Sequence, residues 1–216
     1  MRKPHRRARI IAAALAATAI AALALTLVPG AQAHGTKAPP ADADTLLYRG
    51  ATTVTLDPGA ANALTSLGIQ VAPTRPASAG KAGISFPITF GVVDANDLTG
   101  QIRHSGGLVF TKGTTKVYLS RYFIDIDATP SLSGKVGTSL GTGDRADLFD
   151  LDLANLKVTT GWHRIQLSGV TLKLTAGAAA ALNGAFGGGA SPFTEGLVIG
   201  SATVTARTWT EPAWAK

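Results

Sequence analysis

From Leu46 onward the chain divides into short segments rich in Val, Ile, Thr and Phe, separated by Gly, Asp and Asn. That spacing restricts it to a mainly β fold. ISFPITFGVV (84–93), GQIRHSGGLVF (100–110), KVYLSRYFIDI (116–126), DLFDLDL (147–153), RIQLSGVTLKL (164–174) and LVIGSATVTA (197–206) have the length and composition of strands. They do not alternate with helical segments, so the pattern predicts an antiparallel sandwich or barrel-like sheet rather than a parallel α/β fold. APTRPASAGKAG (72–83) and TSLGTGD (138–144) read as loops, because Gly, Pro, Ser and Thr dominate them.

Two segments depart from the β pattern and resemble each other. VTLDPGAANALTSLG (54–68) and LKLTAGAAAALNGAFG (172–187) each run from a short strand into an alanine-rich stretch. Asp57 and Thr175 stand where a helix needs an N-cap acceptor, and Pro58 suits the first helical position. Gly68 and Gly187 are the expected stops. Helices of about nine or ten residues are marginal alone and must pack against the sheet. Either one structural unit is duplicated, or two similar small-residue helices cap a β core.

Ahead of this domain, the basic run MRKPHRRAR precedes an apolar stretch over 10–28 and the small-residue site Ala31-Gln32-Ala33. This is the pattern of an export leader, with cleavage expected between Ala33 and His34. An uncleaved anchor is the alternative, but nine of the 19 apolar-stretch residues are alanine and Pro29-Gly30 interrupts it. The expected organisation is a leader over 1–33, a disordered lead-in over 34–45, one β-rich domain over 46–208 and a tail over 209–216. A secreted or extracytoplasmic location follows, with no membrane span after cleavage.

Removing the leader changes the charge argument. The whole chain has 20 basic and 13 acidic residues; five basic residues and no acid lie in the leader, which leaves 15 against 13, a net of +2. That balance gives no support to nucleic acid binding. The chain has no cysteine, which excludes disulfides, thiolate metal sites and thiol nucleophiles.

His104 and Ser105 are adjacent, but neighbours on a strand point to opposite faces, so they do not form a base–nucleophile pair. The HSGG string also lacks a nucleophile elbow. The Gly106-Gly107 pair marks a bulge, and the ordinary reading of His104 is a structural histidine. Tyr118 and Tyr122 fall on one face of a regular strand, about 13 Å apart. Phenols there could ligate ferric iron, or simply rim the core. Asp125 with Asp127, and Asp150 with Asp152, alternate with apolar residues as on a solvated strand face, although each pair could also bind calcium. Trp162, Trp209 and Trp214 are scattered along the chain. No arrangement of nucleophile, base or metal ligands indicates an enzyme.

The order of FPITFG (86–91), GQIRHSGGLVF, KVYLSRYFID, LFDLDL (148–153) and LTAGAAAALNGAF (174–186), leading into Gly196-Leu197, resembles the HtaA domain of secreted and surface proteins of high-GC Gram-positive bacteria. The resemblance spans roughly residues 84–205. It implies a β-rich domain that binds haem in haem acquisition, taking it up free or from a haem-carrying protein, with a tyrosine or histidine on the iron. The candidate ligands here are Tyr122, Tyr118 and His104, in that order. The family's F-x-G-H-x-G arrangement is replaced by FTKGTTK (110–116), where Lys112 and Gly113 stand and no histidine does. The family's aromatic N-terminal stretch with its tyrosine is also missing, unless Tyr48 is its displaced remnant. The alternative function is an envelope or matrix module that contacts protein or glycan without haem.

Overall fold

The computed structural model describes residues 44–210, so the expected leader and tail fall outside the described residues, the tail all but for Trp209 and Thr210. In chain order the elements are β1 (Asp44–Leu56), α1 (Pro58–Ser66), β2 (Gln70–Thr74), β3 (Ser78–Gly80), β4 (Gly83–Asp94), β5 (Gly100–His104), β6 (Gly107–Lys112) and β7 (Thr115–Ile126). They continue as β8 (Ser131–Gly137), β9 (Asp144–Asp152), β10 (Lys157–Gly161), β11 (Arg164–Leu174), α2 (Ala176–Phe186) and β12 (Val198–Thr210). Among these described residues no helix is long and apolar enough to cross a membrane.

Eight strands close an antiparallel barrel in the order β7-β5-β4-β1-β12-β11-β9-β8, with β8 pairing back onto β7. Closure removes the exposed edges that a flat sheet of this size would carry. The other four strands are attached to the ring: β6 pairs β7 and carries β2, β3 pairs β4, and β10 pairs β11. β5 and β6 share β7 as partner, β5 along Phe123–Ile126 and β6 along Thr115–Ser120. Both are therefore one side of a long hairpin interrupted at Ser105-Gly106.

Several outcomes differ from the sequence reading. Residues 72–83 are not all loop: β2 holds Pro73 in register with Leu108, and β3 pairs Ser78 with Ser85. An edge strand tolerates proline because its outer N–H has no ladder partner to lose. β1 is 13 residues long rather than a short lead into α1, and it begins at Asp44, inside the expected lead-in.

Bulges at mid-height govern which side chains face the interior. In β1 the buried residues are Thr45 and Leu47, then Thr52, with a register shift between Tyr48 and Gly50 and Arg49 at φ 48°. In β7 they are Leu119 and Ser120, then Tyr122 and Ile124, and the apolar inward positions pass from Leu119 to Tyr122 and Ile124 across a shift between Ser120 and Phe123, with Arg121 at φ 53°. In β11, Leu167 gives way to Val170 across Gly169, at φ 81°. Each extra residue reverses the inward parity of the strand beyond it. Leu47, Val93, Ile102, Leu167 and Ala206 fill the closed part of the barrel, and all are buried.

Candidate functional site: a cavity between the barrel mouth and two helices

β1 and β11 both run into helices at the same end of the barrel. Asp57 has extended backbone, and its carboxylate accepts from the N–H groups of Gly59 (2.8 Å) and Ala60 (3.3 Å), which starts α1 with Pro58 at its first turn. Thr175 is likewise extended, and its hydroxyl accepts from the Ala178 N–H at 3.1 Å to start α2. α1 ends before Gly68, at φ 69°, and α2 ends at Gly187, as the stop glycines imply. The Lys112 ammonium donates to the Phe186 carbonyl at 2.7 Å, capping the C-terminal end of α2. Asn183 brackets the backbone of Phe193, donating to its carbonyl (2.7 Å) and accepting from its N–H (3.0 Å), which fixes the loop after α2.

Between these helices and the barrel mouth lies a cavity of about 1010 Å³. That is the upper end of the range of small-molecule sites, about 300–1,000 Å³. The helices face it with small side chains, Ala60 and Ala63 from α1 and Ala178, Ala181 and Ala185 from α2, and this accounts for the room. Phe110 and Phe186, with ring centroids 6.5 Å apart, form part of one wall. No Lys or Arg is among the lining residues; the charged ones are Asp147, Asp150 and Glu195.

His104 and Thr52 bring polarity into this apolar wall. Both line the cavity, both are buried, and Thr52 Oγ1 is 2.7 Å from His104 Nε2. The other ring nitrogen, Nδ1, is buried without a hydrogen-bond partner. Burial pushes the imidazole pKa down to about 4, an effect the nearby Tyr122 backbone only partly opposes. The ring is therefore neutral at physiological pH, the form that serves as a metal ligand. Thr52 was not singled out by sequence reasoning, and nothing in ATTVTL distinguishes it before the β1 bulge is known.

Tyr122 also lines the cavity and is buried, with its ring edge-on to Phe86 at 5.2 Å. Its hydroxyl donates back to the Leu119 carbonyl at 3.1 Å, and burial raises its pKa above the ordinary phenol value. Tyr118 does not join it. The two were expected on one face, but the bulge at Arg121 turns Tyr122 inward while Tyr118, between the cavity-lining Val117 and Leu119, faces the other side. Tyr48 is on the outside of β1 and partly exposed, and Lys112 is occupied by α2, so neither stands at the cavity. Asp125 accepts from the Gln101 amide and Asp152 pairs with Lys173 at 2.7 Å, which uses one carboxylate of each alternating pair.

No protein-family model matches this chain, and no curated protein matches it. Solved structures do. The crystal structure of the C-terminal domain of HtaA from Corynebacterium glutamicum is 16% identical, with 76% of this chain and 99% of that one covered, at a TM-score of 0.57. The N-terminal domain of the same protein is 15% identical over 74% of this chain and 97% of its own, at a TM-score of 0.49. The described barrel with its two capping helices thus has a divergent HtaA-like fold.

Proposed function

We propose that this domain is an extracytoplasmic binding protein whose cavity takes up haem. The observation that carries the reading is a cavity of about 1010 Å³ with apolar walls and one buried neutral histidine whose Nδ1 has no partner. Haem supplies an iron that needs a protein ligand and a macrocycle that needs apolar cover. His104 is our candidate for the first need: its Nε2 is bonded to the Thr52 hydroxyl, the kind of outer partner that orients a ligating imidazole, and its Nδ1, closed off in the free protein, would be uncovered by a turn of the ring on uptake. Tyr122 is second: its phenol is at the cavity, but burial without a neighbouring cation opposes the phenolate that ferric iron prefers. Tyr118, outside the cavity, is third. With no Lys or Arg in the lining, the haem carboxylates would stay at the solvent side of the mouth.

Binding rather than catalysis is favoured because no third group orients the imidazole: Thr52 and His104 are in hydrogen-bond reach, but His104 Nδ1 has no partner, so the pair lacks the member that activates a nucleophile and its base. The test is a titration of the chain from His34 with haemin. A shifted Soret band that His104→Ala removes or moves is the expected result. A spectrum equal to free haemin sinks the haem reading, and a band indifferent to His104→Ala but lost in Tyr122→Phe reverses the order of ligands.

A further inference from the structure

The outer wall of the barrel, from mid-height to the rim away from the helices, carries an exposed patch separate from the cavity. Tyr48 is in register with Arg207, Arg207 with Arg164, Leu46 with Trp209 and Val92 with Leu46. Phe90 neighbours Tyr48, between the Leu47–Gly91 and Ala51–Pro87 pairs. The β10–β11 turn joins the same edge, because the Thr208 N–H donates to the His163 carbonyl at 3.0 Å and the His163 ring reaches the Thr208 carbonyl. Trp162 stands at the tip of that turn. The fold thus collects Trp162 and Trp209, 47 positions apart in the chain, beside Tyr48 and Phe90.

These four side chains are exposed to an extent unusual for their size: 91% for Trp162, 46% for Trp209 and Phe90, and 40% for Tyr48. Contiguous apolar exposure of this kind marks an interaction surface. Arg49, Arg164 and Arg207 are exposed among them, and the single ion pair among the described residues is Lys173–Asp152, on another part of the barrel. The acids on these strands, Asp44 and Asp94, are in register with each other at the rim, two positions beyond Leu46 and Val92. The patch is therefore aromatic and cationic at its centre.

We propose that this patch docks the barrel on an anionic lipid surface. Trp and Tyr settle at the boundary of headgroups and acyl chains, where an apolar ring with a polar edge is best solvated. Arginines beside them attract anionic headgroups, at about 1 kcal/mol each near the surface. Trp162 projects from a turn rather than lying along the sheet, which suits insertion into a soft interface better than stacking on a sugar ring. Docking here leaves the cavity open to the aqueous side, since Tyr48 lies roughly 26 Å along β1 from Leu56, where α1 begins. Docking at this patch is independent of what fills the cavity.

The test uses the chain from His34 and vesicles of phosphatidylcholine with or without phosphatidylglycerol, read by co-sedimentation and Trp emission. Binding is expected only with phosphatidylglycerol present, weakening at high salt, with an emission blue-shift. Arg164→Glu with Arg207→Glu should weaken it at least about tenfold, and Trp162→Ala should reduce the blue-shift, with the thermal melt unchanged because all three residues are exposed. Equal binding to neutral vesicles, no binding to either, or indifference to the substitutions overturns the proposal. Retention on a soluble polyanionic glycan without vesicle binding would assign the patch to glycan instead. A dimer abolished by the same substitutions would assign it to a second copy of the chain.

Discussion

Thr52 Oγ1 and His104 Nε2 meet at 2.7 Å inside the barrel, although β4 separates their strands in the sheet. Thr52 is in register with Phe86 and His104 with Ile88, two positions further along β4. The contact exists because the β1 bulge at Arg49 turns Thr52 inward, and because β5 ends at His104, just before the interruption at Ser105-Gly106. One polar pair is thereby set into an otherwise apolar wall.

Thr52→Val keeps the shape of this pair and removes its hydroxyl. Both imidazole nitrogens then lack a partner, and a buried polar atom left unsatisfied costs about 1–3 kcal/mol. Equilibrium denaturation should show that loss, and Thr52→Ser should recover most of it. Wild-type stability in Thr52→Val would mean that the hydrogen bond contributes nothing net.

The same burial makes stability depend on pH. His104 is depressed from an ordinary 6.5 to about 4, so between those values the unfolded chain binds a proton that the folded one excludes. The stabilisation is complete above pH 6.5 and is lost as pH falls through 4. The whole displacement corresponds to on the order of 3 kcal/mol. Denaturation of wild type and His104→Gln across pH 4 to 7 isolates it, because the carboxylates titrate alike in both. Parallel curves would show that the imidazole is not buried as described.

Local chemistry carried the legible part of this molecule. The cap at Asp57 or Thr175 and the stop at Gly68 depend on a few consecutive residues, so both helices could be placed within about a turn. Strand segments were legible for the same reason where Val, Ile and Phe are dense. β8, SLSGKVG, was not: its buried Ser133 and Gly134 gain their place from ring closure against β7 and β9, which no local signal announces. The site was half legible. His104 and Tyr122 were named, but the face each occupies depends on bulges, and a bulge at a non-glycine residue such as Arg121 leaves no mark in composition. A regular strand groups Tyr118 with Tyr122 and leaves Thr52 unmarked, and the bulges undo both.

Arg121 therefore offers a direct test of how the site is aimed. Its φ of 53° is a region that a side chain disfavours by about 1–2 kcal/mol and glycine does not. Its backbone carbonyl, which accepts from Arg145 at 2.9 Å, survives any substitution. Arg121→Gly should stabilise by up to about 1 kcal/mol with Tyr122 still buried, whereas Arg121→Val should destabilise by more than that. Nitration of Tyr122 by tetranitromethane, read on its peptide by mass, reports which way the ring faces; increased nitration in Arg121→Gly would show that the arginine side chain, not the bulge, holds it inward.

The small residues of the two helices are what leave the cavity open, and this separates stability from uptake. Ala63 on α1 and Ala181 on α2 both line it. Leucine at either position adds apolar surface that the void can receive without displacing a packed neighbour, so each variant should gain about 0.5–2 kcal/mol, a few degrees in melting temperature. The double variant Ala63→Leu with Ala181→Leu should at the same time lose haemin uptake by tenfold or more, since both additions occupy the same space. Stability rising while uptake falls would locate the ligand between the helices. Undiminished uptake in a stabilised double variant would place the ligand elsewhere on the barrel and detach His104 from it.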